Sequence, residues 1–474
     1  MQEQETRSKI VCTIGPASNS REVLHQMVEA GMDVARINMS HEDHSSAKKT
    51  FELIRSVDDT VGILFDLQGP KIRIGEMEEE VELEEGDEFI ISTQEFIGNR
   101  HRVSISHKDL PEDVAEGDII AINDGIINLV VQEIRDNEVV TKVTNGGPIS
   151  SRKGVNIPGI RLSCSMPTEK DVKDIELAAE LGVDFIALSF VRDGDEVRRV
   201  NEILEENGLG DADVISKIEH MLAIENYDDI LEESHGVMIA RGDLGIEVPI
   251  EEVPVLQREL VRKANKWARP SIVATHMLES MTEERLPTRA EVSDVAHAIF
   301  DRTDAVMLSG ETAIGRNPPR VVEMMNRIIS NAEKRITPVD PLDVTSEERM
   351  IVEIIGNLVY SAVSLIPENV DGIVSATRSG FTARWISKFR PPTNIYAVTR
   401  DPAVIRRMRL LWGVHPVQYR QDLDNVDDLV QQAVRRVHKE GLVSEDKDVV
   451  FTSGIRHIPH RTNVCGVFHV ADLI

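Results

Sequence analysis

Short apolar runs separated by amphipathic stretches give the first part of the chain a strand–helix rhythm. The runs that predict buried strands are residues 8–14, 32–41 and 61–66. Such runs suit a parallel sheet, because helices cover both of its faces. After the first run, apolar residues at helical spacing predict a helix capped by Ser18 or Ser20 and ended by Gly31. A second helix is predicted to reach about Val57, before the third strand.

The pattern changes after the third strand. From Ile74 to about Met166, apolar and polar residues alternate over short runs, and no long helix fits. Alternation with a period of two predicts strands that are buried on one face. The predicted strands are residues 80–83, 89–92, 119–122, 128–134 and 139–143, divided by turn signals at residues 85–87, 124–125 and 145–148. We therefore predict a small inserted β domain, with the acidic residues 76–85 on its solvated rim.

The strand–helix rhythm returns at Thr168, a residue type that caps helices. The further predicted strands are residues 183–190, 214–219, 236–245, 270–275 and 304–309. About eight such units, with polar residues at the carboxyl ends of the strands, are typical of a (β/α)8 barrel, whose chemistry lies at that end. We predict a barrel built from residues 1–70 and 167–338, and an inserted β lid domain over residues 71–166.

A third domain is predicted over residues 339–474. Residues 336–341 contain two prolines and suit a linker. A helix is predicted over residues 350–365. The strands that follow are predicted at residues 372–377, 394–399, 448–452 and 467–470, with helices between them. This is the pattern of a small open α/β sheet.

Two neighbouring strands of the predicted barrel end in charged residues. Lys217 and Glu219 end the fifth strand, where residues two apart point to the same side. Arg241 and Asp243 end the sixth. Glu219 and Asp243 could hold one Mg²⁺, with Lys217 facing a phosphate carried by the metal. Either acid alone would more simply be a solvated loop charge. The pair, together with a lysine, favours a site.

Composition excludes several classes of protein. The 474 residues are 41% apolar and 28% charged, a globular balance, and the net charge of −29 argues against a general nucleic-acid role. Three cysteines far apart form neither a disulfide framework nor a zinc ligand set. The sequence starts without an apolar leader, and no run approaches the roughly 18 apolar residues of a membrane span. We expect a cytoplasmic protein with no membrane partner.

Seven stretches resemble motifs of the pyruvate kinase family, in the family's order and at plausible spacing. They are ARINMSH (35–41), FDLQGPKIR (65–73), SRKGVNIP (151–158), SKIE (216–219), ARGDLG (240–245), ATHMLES (274–280) and LSGET (308–312). The resemblance covers essentially the whole chain, and together the motifs are very specific. It implies a (β/α)8 barrel, a β lid and a C-terminal α/β regulatory domain, assembled as a homotetramer.

The resemblance implies phosphoryl transfer from phosphoenolpyruvate to ADP, giving pyruvate and ATP, the last step of glycolysis. Glu219 and Asp243 would hold Mg²⁺ or Mn²⁺, and Lys217 would lie against the transferred phosphoryl group. Arg36 and Arg73 would clamp the phosphate, because the guanidinium fork matches its oxygens. The residues implied for the substrate carboxylate and for protonation of the enolate are Gly242, Asp243, Thr275 and Ser309.

The nucleotide would lie between the barrel and the lid. The residues implied on this side are Asn38, His41, Arg73, Asp124 and Lys153. The lid would close over ADP and exclude water.

Other interpretations of single residues remain open. Arg36 and Arg73 could be ion-pair partners in the barrel mouth, and Thr275 could satisfy a backbone group. His276 is more typical of a packed histidine, or of one that supports a residue of the site, than of an acid catalyst, and Lys153 could lie in a solvated turn. For the whole chain, the alternatives are a catalytically inactive relative that binds metabolites and a Mg²⁺-dependent aldolase that acts on a keto acid.

The chain departs from the family pattern at the site for K⁺. The residues that remain are Asn38, Ser40 and Asp66, whereas Leu67 and Ile74 stand where threonine is usual and Lys71 stands where glutamate is. An ammonium can supply the positive charge that the ion would provide. The resemblance therefore implies the K⁺-independent branch.

A second departure follows Glu219. His220-Met-Leu-Ala stands where the family usually reads Asn, then an acid and Gly, and we expect these residues to pack under the site.

The C-terminal domain contains a loop that resembles the family's effector phosphate loop. Its residues are Thr377, Arg378, Ser379, Gly380 and Thr382, with Phe381 where a polar or basic residue is more usual. Arg456 and Arg461 bound a basic cluster that could form a second wall for a sugar phosphate or nucleotide effector. The cluster could also simply compensate the acidic surface.

Overall fold

The computed structural model describes residues 6–336, 350–419, 426–454 and 462–474. Its first five elements are β1 (Lys9–Thr13), α1 (Arg21–Glu29), β2 (Val34–Asn38), α2 (His44–Val57) and β3 (Gly62–Asp66). They agree with the predicted order, and α2 ends at Val57 as predicted. Of the two candidate caps of α1, Ser20 is the one whose hydroxyl accepts from Val23 N, at 3.3 Å. The Ser18 hydroxyl instead accepts from Gly15 N, at 3.0 Å.

The inserted region contains eight short strands and one short helix. These elements are β4 (Val81–Leu83), β5 (Glu88–Ser92), β6 (Arg102–Ser104), α3 (Leu110–Asp113), β7 (Ile119–Ile122), β8 (Ile127–Arg135), β9 (Glu138–Asn145), β10 (Gly147–Ile149) and β11 (Val155–Asn156). The larger sheet has the order β11-β7-β8-β9-β5-β6, and β10 pairs with β4. All five predicted strands are confirmed. Residues 147–148 form part of β10, so the turn predicted over residues 145–148 is wrong at its end.

The second part of the barrel alternates helices with strands. Its elements are α4 (Glu169–Leu181), β12 (Phe185–Leu188), α5 (Gly194–Glu206), β13 (Asp213–Ile218), α6 (Met221–Glu225), α7 (Tyr227–Glu233), β14 (Gly236–Ala240), α8 (Arg241–Glu247), α9 (Val253–Lys266), β15 (Ser271–Ala274), α10 (Arg289–Phe300), β16 (Ala305–Leu308), α11 (Gly310–Ala313) and α12 (Pro318–Glu333). Short 3₁₀ turns lie at Ile250–Glu252 and Glu279–Thr282. Thr168 caps α4 in a reciprocal capping box with Asp171, as expected. The predicted sixth strand stops at Ala240, because the chain enters α8 at Arg241.

Eight parallel strands close into a barrel with the order β1-β16-β15-β14-β13-β12-β3-β2. The predicted (β/α)8 barrel is therefore confirmed. Its strands are almost wholly buried, which explains their apolar runs. Every strand ends at the same rim, so the polar residues that follow the strands are gathered there.

The C-terminal domain is an open five-stranded sheet with helices. Its elements are α13 (Met350–Leu365), β17 (Val370–Ala376), α14 (Phe381–Lys388), β18 (Ile395–Thr399), α15 (Pro402–Met408), β19 (Val414–Gln418), α16 (Val426–Lys439), β20 (Asp448–Ser453) and β21 (Val464–His469), followed by a 3₁₀ turn at Val470–Asp472. The strand order is β19-β18-β17-β20-β21, and only β21 runs antiparallel to its neighbour. The predicted open α/β sheet is confirmed, with β19 as an additional edge strand. In the described ranges, we find no helix with the length and apolar character needed to span a membrane.

The C-terminal domain contacts the amino-terminal ends of the barrel strands. Arg406 pairs with Asp184 at 2.7 Å, just before β12, and Arg384 lies 3.3 Å from Asp213, the first residue of β13. Arg390 pairs with Asp304 at 2.8 Å, just before β16. The inserted β domain lies at the opposite, carboxyl end of the barrel, where it contributes Asp124 and residues 154–157 to one cavity.

Candidate active site

A cavity of about 250 Å³ lies between the carboxyl end of the barrel and the inserted β domain. The residues singled out from the sequence that line it are Arg36, Asn38, Ser40, Asp66, Lys71, Asp124, Lys217, Glu219 and Asp243. They come from β2, β3, β13, α8 and the lid. Residues scattered over more than two hundred positions therefore meet in one place.

Lys217 is the centre of a buried charge network. Its Nζ donates to Ser189 Oγ at 2.7 Å and lies 3.4 Å from Asp66 Oδ1 and 3.3 Å from Glu219 Oε2. Burial lowers the pKa of Lys217, but Asp66 and Glu219 outweigh burial and the net pKa is raised. The side chain is therefore a fixed ammonium. Sequence reasoning missed Ser189, although its place just after β12 is the kind of position where polar site residues are found.

Asp66 holds two cations at once. Besides Lys217, it accepts from Arg36 Nε at 2.7 Å, while Arg36 Nη1 donates to Thr13 Oγ1 at 2.8 Å. Burial alone would raise the pKa of Asp66, but Lys217 and Arg36 together lower it. Arg36 is thus an ion-pair partner in the barrel mouth and also lines the cavity, so the two interpretations of this arginine are compatible.

The two predicted metal ligands lie in the same cavity. Glu219 is fully buried: its Oε1 accepts from Phe190 N at 2.9 Å, whereas its Oε2 is a buried atom without a hydrogen bond. The pKa of Glu219 is raised to about 7, first by burial and also by the nearby Asp243, against the opposing effect of Lys217. The pKa of Asp243 is also raised, first by burial and then by Asp124.

These acids fit a divalent cation. Glu219 Oε2 lies 3.3 Å from Lys217 Nζ, but Lys217 is shared with Asp66, and Asp243 adds a further negative charge nearby. Buried acids in excess of their cations are costly, and a divalent cation would compensate the remaining charge. Within the described residues, no group of three or more His, Cys, Asp or Glu could hold a metal. Two carboxylates nevertheless suit Mg²⁺, which keeps several waters and takes oxygens from a substrate phosphate.

A strained backbone segment follows β15. Thr275 has φ +68° and His276 has φ +53°, in the left-handed region that a β-branched residue rarely adopts. Thr275 Oγ1 accepts from Gly242 N at 2.9 Å and donates to Ala274 O at 2.6 Å. Gly242 N–H, which the sequence suggested for the substrate, is therefore directed at Thr275. His276 is exposed, so it does not pack within the chain, whereas its support of a site residue stays a prediction.

Arg241 supports this segment instead of lining the cavity. It donates to Thr275 O at 2.7 Å and to Asp294 Oδ1 at 2.6 Å. The sequence pattern put this arginine at a strand end with Asp243. Because α8 starts at Arg241, its side chain is directed at the end of β15.

Several other candidates surround the cavity without lining it. Arg73 Nη1 donates to Arg152 O at 2.6 Å, and the backbone carbonyl of Lys153 accepts from Ile74 N at 3.0 Å. Ser309 N donates to Glu311 Oε2 at 2.6 Å. The candidates outside the cavity lining are His41, Arg73, Lys153, Gly242, Thr275 and Ser309.

Several cations lie close to His41 at the mouth of the cavity. Partial burial lowers the pKa of His41, and nearby Lys71, Arg36 and Arg73 lower it further. The pKa of Lys71 is also lowered, first by burial and then by Arg73. Lys71, Arg36 and Arg73 therefore form a local group of positive charges in an acidic protein.

The positions that differ from the family's K⁺ pattern are buried or at the mouth. Leu67 and Ile74 are buried apolar side chains, while Lys71 lines the cavity. After Glu219, His220 and Ala223 are buried, as expected for residues that pack under the site.

The predicted effector loop lies before α14. Gly380, with φ +82°, donates its N–H to Thr377 Oγ1 at 3.0 Å, and Arg378 and Ser379 are exposed. Thr382 Oγ1 forms a hydrogen bond with Thr462 Oγ1 at 2.8 Å. Arg456 and Arg461 lie outside the described residues.

A closed (β/α)8 barrel with paired carboxylates beside a buried lysine, under a β domain, defines an enzyme class that binds a divalent cation and an anionic substrate. Comparison with family models names the family. The model of the pyruvate kinase barrel domain matches residues 5–322, and that of the pyruvate kinase alpha/beta domain matches residues 354–468. The chain belongs to the pyruvate kinase family.

Curated relatives and a solved structure agree. The pyruvate kinase of Bacillus licheniformis is 43% identical over 478 residues, which cover 99% of this chain and 81% of that protein. That of Geobacillus stearothermophilus is 42% identical over 479 residues, with the same coverage of 99% and 81%. The crystal structure of a pyruvate kinase from Cryptosporidium parvum matches with a TM-score of 0.90 and 35% identity, covering 98% of this chain and 96% of that one.

Proposed function

We propose that this chain transfers the phosphoryl group of phosphoenolpyruvate to ADP, with pyruvate and ATP as products. Membership of the pyruvate kinase family supports this reaction over nearly the full length of the chain. The observation that carries it is the Lys217 ammonium, fixed by Ser189, Asp66 and Glu219 in a cavity that also contains Asp243.

Lys217 and Arg36 would stabilise the transferred phosphoryl group, with Arg73 as a further clamp. Phosphoryl transfer needs positive charge where the phosphoryl oxygens move, and groups fixed in advance stabilise the transition state without reorganisation. Asp66 fixes these two cations in advance, because it forms ion pairs with both Lys217 and Arg36.

Glu219 and Asp243 would hold Mg²⁺ or Mn²⁺, the type of cofactor that the family uses. The bound ion would neutralise charge on the phosphoryl oxygens. The buried Glu219 Oε2, without a hydrogen bond, supports this role.

We place the carboxylate of phosphoenolpyruvate at the start of α8, near the backbone of Gly242 and Asp243. Thr275 would lie beside it and, with Ser309, would deliver the proton that converts the enolate to pyruvate. The support is the contact of Thr275 Oγ1 with Gly242 N, which brings the end of β15 to the start of α8.

ADP would bind between barrel and lid. Asn38, His41 and Arg73 would contact it from the barrel side, and Asp124 and Lys153 from the lid. Asp124 lines the same cavity as the barrel residues, which supports a lid that closes over the nucleotide and excludes water.

We propose domain boundaries at residues 70/71, 166/167 and 338/339.

We propose that activity does not require K⁺. Lys71 lines the cavity together with Asn38, Ser40 and Asp66, which are the remaining oxygen ligands of the family's K⁺ site. The side chains of Leu67 and Ile74 contain no oxygen and are buried. The ammonium of Lys71 would supply the missing positive charge.

A sugar phosphate or nucleotide effector would bind the loop at residues 377–382, where Arg378 and Ser379 are exposed.

We also propose a homotetramer and, because the substrates are glycolytic metabolites, a cytoplasmic location. Exposed apolar side chains support the assembly. They lie on two faces, Ile351, Ile354, Leu358 and Leu365 along α13, and Leu286 and Ile314 beside the barrel. Two separate self-complementary faces generate a closed tetramer. Sedimentation of the purified protein should give the mass of four chains, and a monomer would contradict this.

A coupled assay for pyruvate, with phosphoenolpyruvate and Mg²⁺, tests the reaction. Pyruvate should form with ADP and not without it. No pyruvate in either condition would indicate an inactive relative, and pyruvate release independent of ADP would indicate a different enzyme on the same substrate. Aldol products from pyruvate would support the aldolase alternative.

A further inference from the structure

We infer that His220 and Glu247 form a latch that ties the lid's return segment to the two metal-binding acids, Glu219 and Asp243. The return segment is residues 157–166, which lead from β11 back to α4. Both latch residues act as positioning residues: they hold the acids at the right separation when the lid is docked. This inference rests on the proposed function, because it assigns the acids to the metal.

The His220 ring connects two parts of the site. The side chain is buried, and its Nδ1 accepts a hydrogen bond from Leu222 N at 3.1 Å. Leu222 lies in the first turn of α6. An accepting Nδ1 leaves the proton on Nε2. Burial lowers the pKa of His220, whereas a backbone interaction with Ile160, in the return segment, raises it, and Nε2 lies 3.7 Å from Glu247 Oε2.

Glu247 connects the same two parts from the other side. One of its oxygens, Oε2, accepts from Gly159 N and from Met221 N, each at 3.2 Å. The residue is buried, so these two hydrogen bonds satisfy a carboxylate oxygen that water does not reach freely.

The latch reaches both acids through short covalent paths. His220 follows Glu219 directly. Glu247 is four residues after Asp243 on α8, so the two side chains lie on one face of that helix. Gly159 and Ile160 are adjacent in the return segment. A movement of the return segment with the lid would therefore displace Glu219, at the end of β13, and Asp243, on α8, at the same time.

His220 makes two contacts in this chain: it caps α6 and it reaches the return segment. Where the family usually has asparagine, a side-chain oxygen can still cap α6 by accepting from Leu222 N. The shorter amide cannot also extend to the return segment on the far side of the ring. The change from histidine to asparagine therefore removes the lid contact and keeps the cap.

His220→Asn, studied without substrates, tests the latch. We expect the Kd for Mn²⁺, measured by electron paramagnetic resonance, to rise about tenfold, the low end of the range for partners that orient metal ligands. Hydrogen exchange at Gly159 and Ile160 should accelerate, while the thermal midpoint stays close to that of the wild type. His25→Asn, at an exposed site on α1, is the matched control and should change neither quantity.

Glu247→Ala provides the second arm and decides the matter if His220→Asn does not fold. It should weaken Mn²⁺ binding and accelerate the same two amides, and Glu247→Gln, which keeps an accepting oxygen, should recover most of both effects. The double variant His220→Asn/Glu247→Ala should be less than additive, since both residues act through one segment.

Wild-type Mn²⁺ affinity and wild-type exchange in the variants would overturn the latch. The proposed reaction fails by a different result, absence of ADP-dependent pyruvate formation by the wild type. Neither Mn²⁺ binding nor amide exchange requires turnover, so the two failures are distinguishable.

Discussion

At the scale of single residues, the site depends on buried charges that fix one another. Asp66 holds Lys217 and Arg36, and Lys217 in turn lies 3.3 Å from Glu219. A buried charge is tolerated only when it is paired, so each of these groups restricts where the others can lie. The ammonium is therefore in place before any substrate arrives.

Replacing Lys217 by methionine keeps the length of the side chain and removes its charge. We expect kcat to fall by about 10² to 10³, the usual loss when one fixed transition-state donor is removed. Binding of phosphoenolpyruvate should remain within severalfold, because Arg36 is still present. Pyruvate release gives kcat, and a fluorescence titration gives the affinity. Lys49→Met, at an exposed position on α2, is the control. Near-normal turnover of Lys217→Met would contradict the role of the lysine.

We expect Lys71 to determine the response to monovalent cations. The wild type should be active in a buffer free of potassium, sodium and ammonium ions, and added KCl at constant ionic strength should change the rate little. Lys71→Glu should lose about tenfold, or about 1.4 kcal/mol of transition-state stabilisation, and KCl should restore part of it. The reason is that a carboxylate beside Asn38, Ser40 and Asp66 rebuilds a cation site. Lys71→Gln, which adds no charge, should lose activity without rescue. Strong activation of the wild type by KCl would contradict the proposal.

At the scale of elements, apolar runs predicted strands best where burial of the run alone determines that a strand forms. The eight barrel strands and five of the eight lid strands appear within a few residues of their predicted positions. Four strands were missed, namely β6, β10, β11 and β19. Three of them have only two or three residues, and two contain a proline, at Pro148 and Pro416. Partners elsewhere in the chain create such strands, and local sequence carries little of that information.

The site was predictable to the extent that barrel topology gathers strand ends. That rule brought together Asp66, Lys217, Glu219 and Asp243, which all line one cavity. It could not give the direction of Arg241, because the chain turns into α8 at that residue. Nor could it reveal the left-handed backbone of Thr275, which depends on contacts between β15 and α8. Those features follow from three-dimensional packing and have no local signature.

The junction between β13 and β14 should make stability depend on pH. His235 Nδ1 accepts from Val214 N at 3.2 Å, which requires a neutral ring. Burial lowers the pKa of His235 below its ordinary value of about 6.5. The charged groups around it are Asp213, Arg269, Arg384 and Arg407.

The unfolded chain takes up a proton near pH 6.5 and the folded chain does so only at lower pH. His235 therefore reduces the free energy of unfolding as pH falls below about 6.5, until the pKa of the folded state is passed. His235→Gln, which can still accept a hydrogen bond, should flatten this part of the profile in urea unfolding measured between pH 5 and 8. The exposed variant His25→Gln should leave the slope unchanged. An unaltered slope in His235→Gln would show that other groups cause it.

At the scale of the whole molecule, the same strands join the end of the barrel that carries the proposed active site to the end that contacts the C-terminal domain. β13 carries Asp213 at its start and Lys217 near its end. Arg384, on the helix that follows the proposed effector loop, contacts Asp213. A displacement of α14 would thus act on the strand that holds Lys217, the lysine to which we assign phosphoryl transfer. This contact is a physical route by which the proposed effector loop could be coupled to Lys217. The route requires a stable interface between the C-terminal domain and the barrel.

Arg390 is the strongest point of that interface. It donates to Asp304 Oδ1 at 3.0 Å and Oδ2 at 2.8 Å, to Asn265 Oδ1 at 2.6 Å and to Arg302 O at 2.9 Å. Both partners of the ion pair are almost fully buried. Removing one member of a buried pair leaves an uncompensated charge, which costs about 3–5 kcal/mol.

Arg390→Met should therefore lower the free energy of unfolding by about that amount, measured by urea titration, whereas Arg262→Met on the exposed face of α9 should stay within about 0.5 kcal/mol. The double variant Arg390→Met/Asp304→Asn should recover part of the loss, because no unpaired buried charge then remains. If the transition of Arg390→Met splits in two, the C-terminal domain has been uncoupled from the barrel, since each domain keeps its own core. A single transition at the midpoint of Arg262→Met would instead show that the pair contributes nothing to holding the domains together.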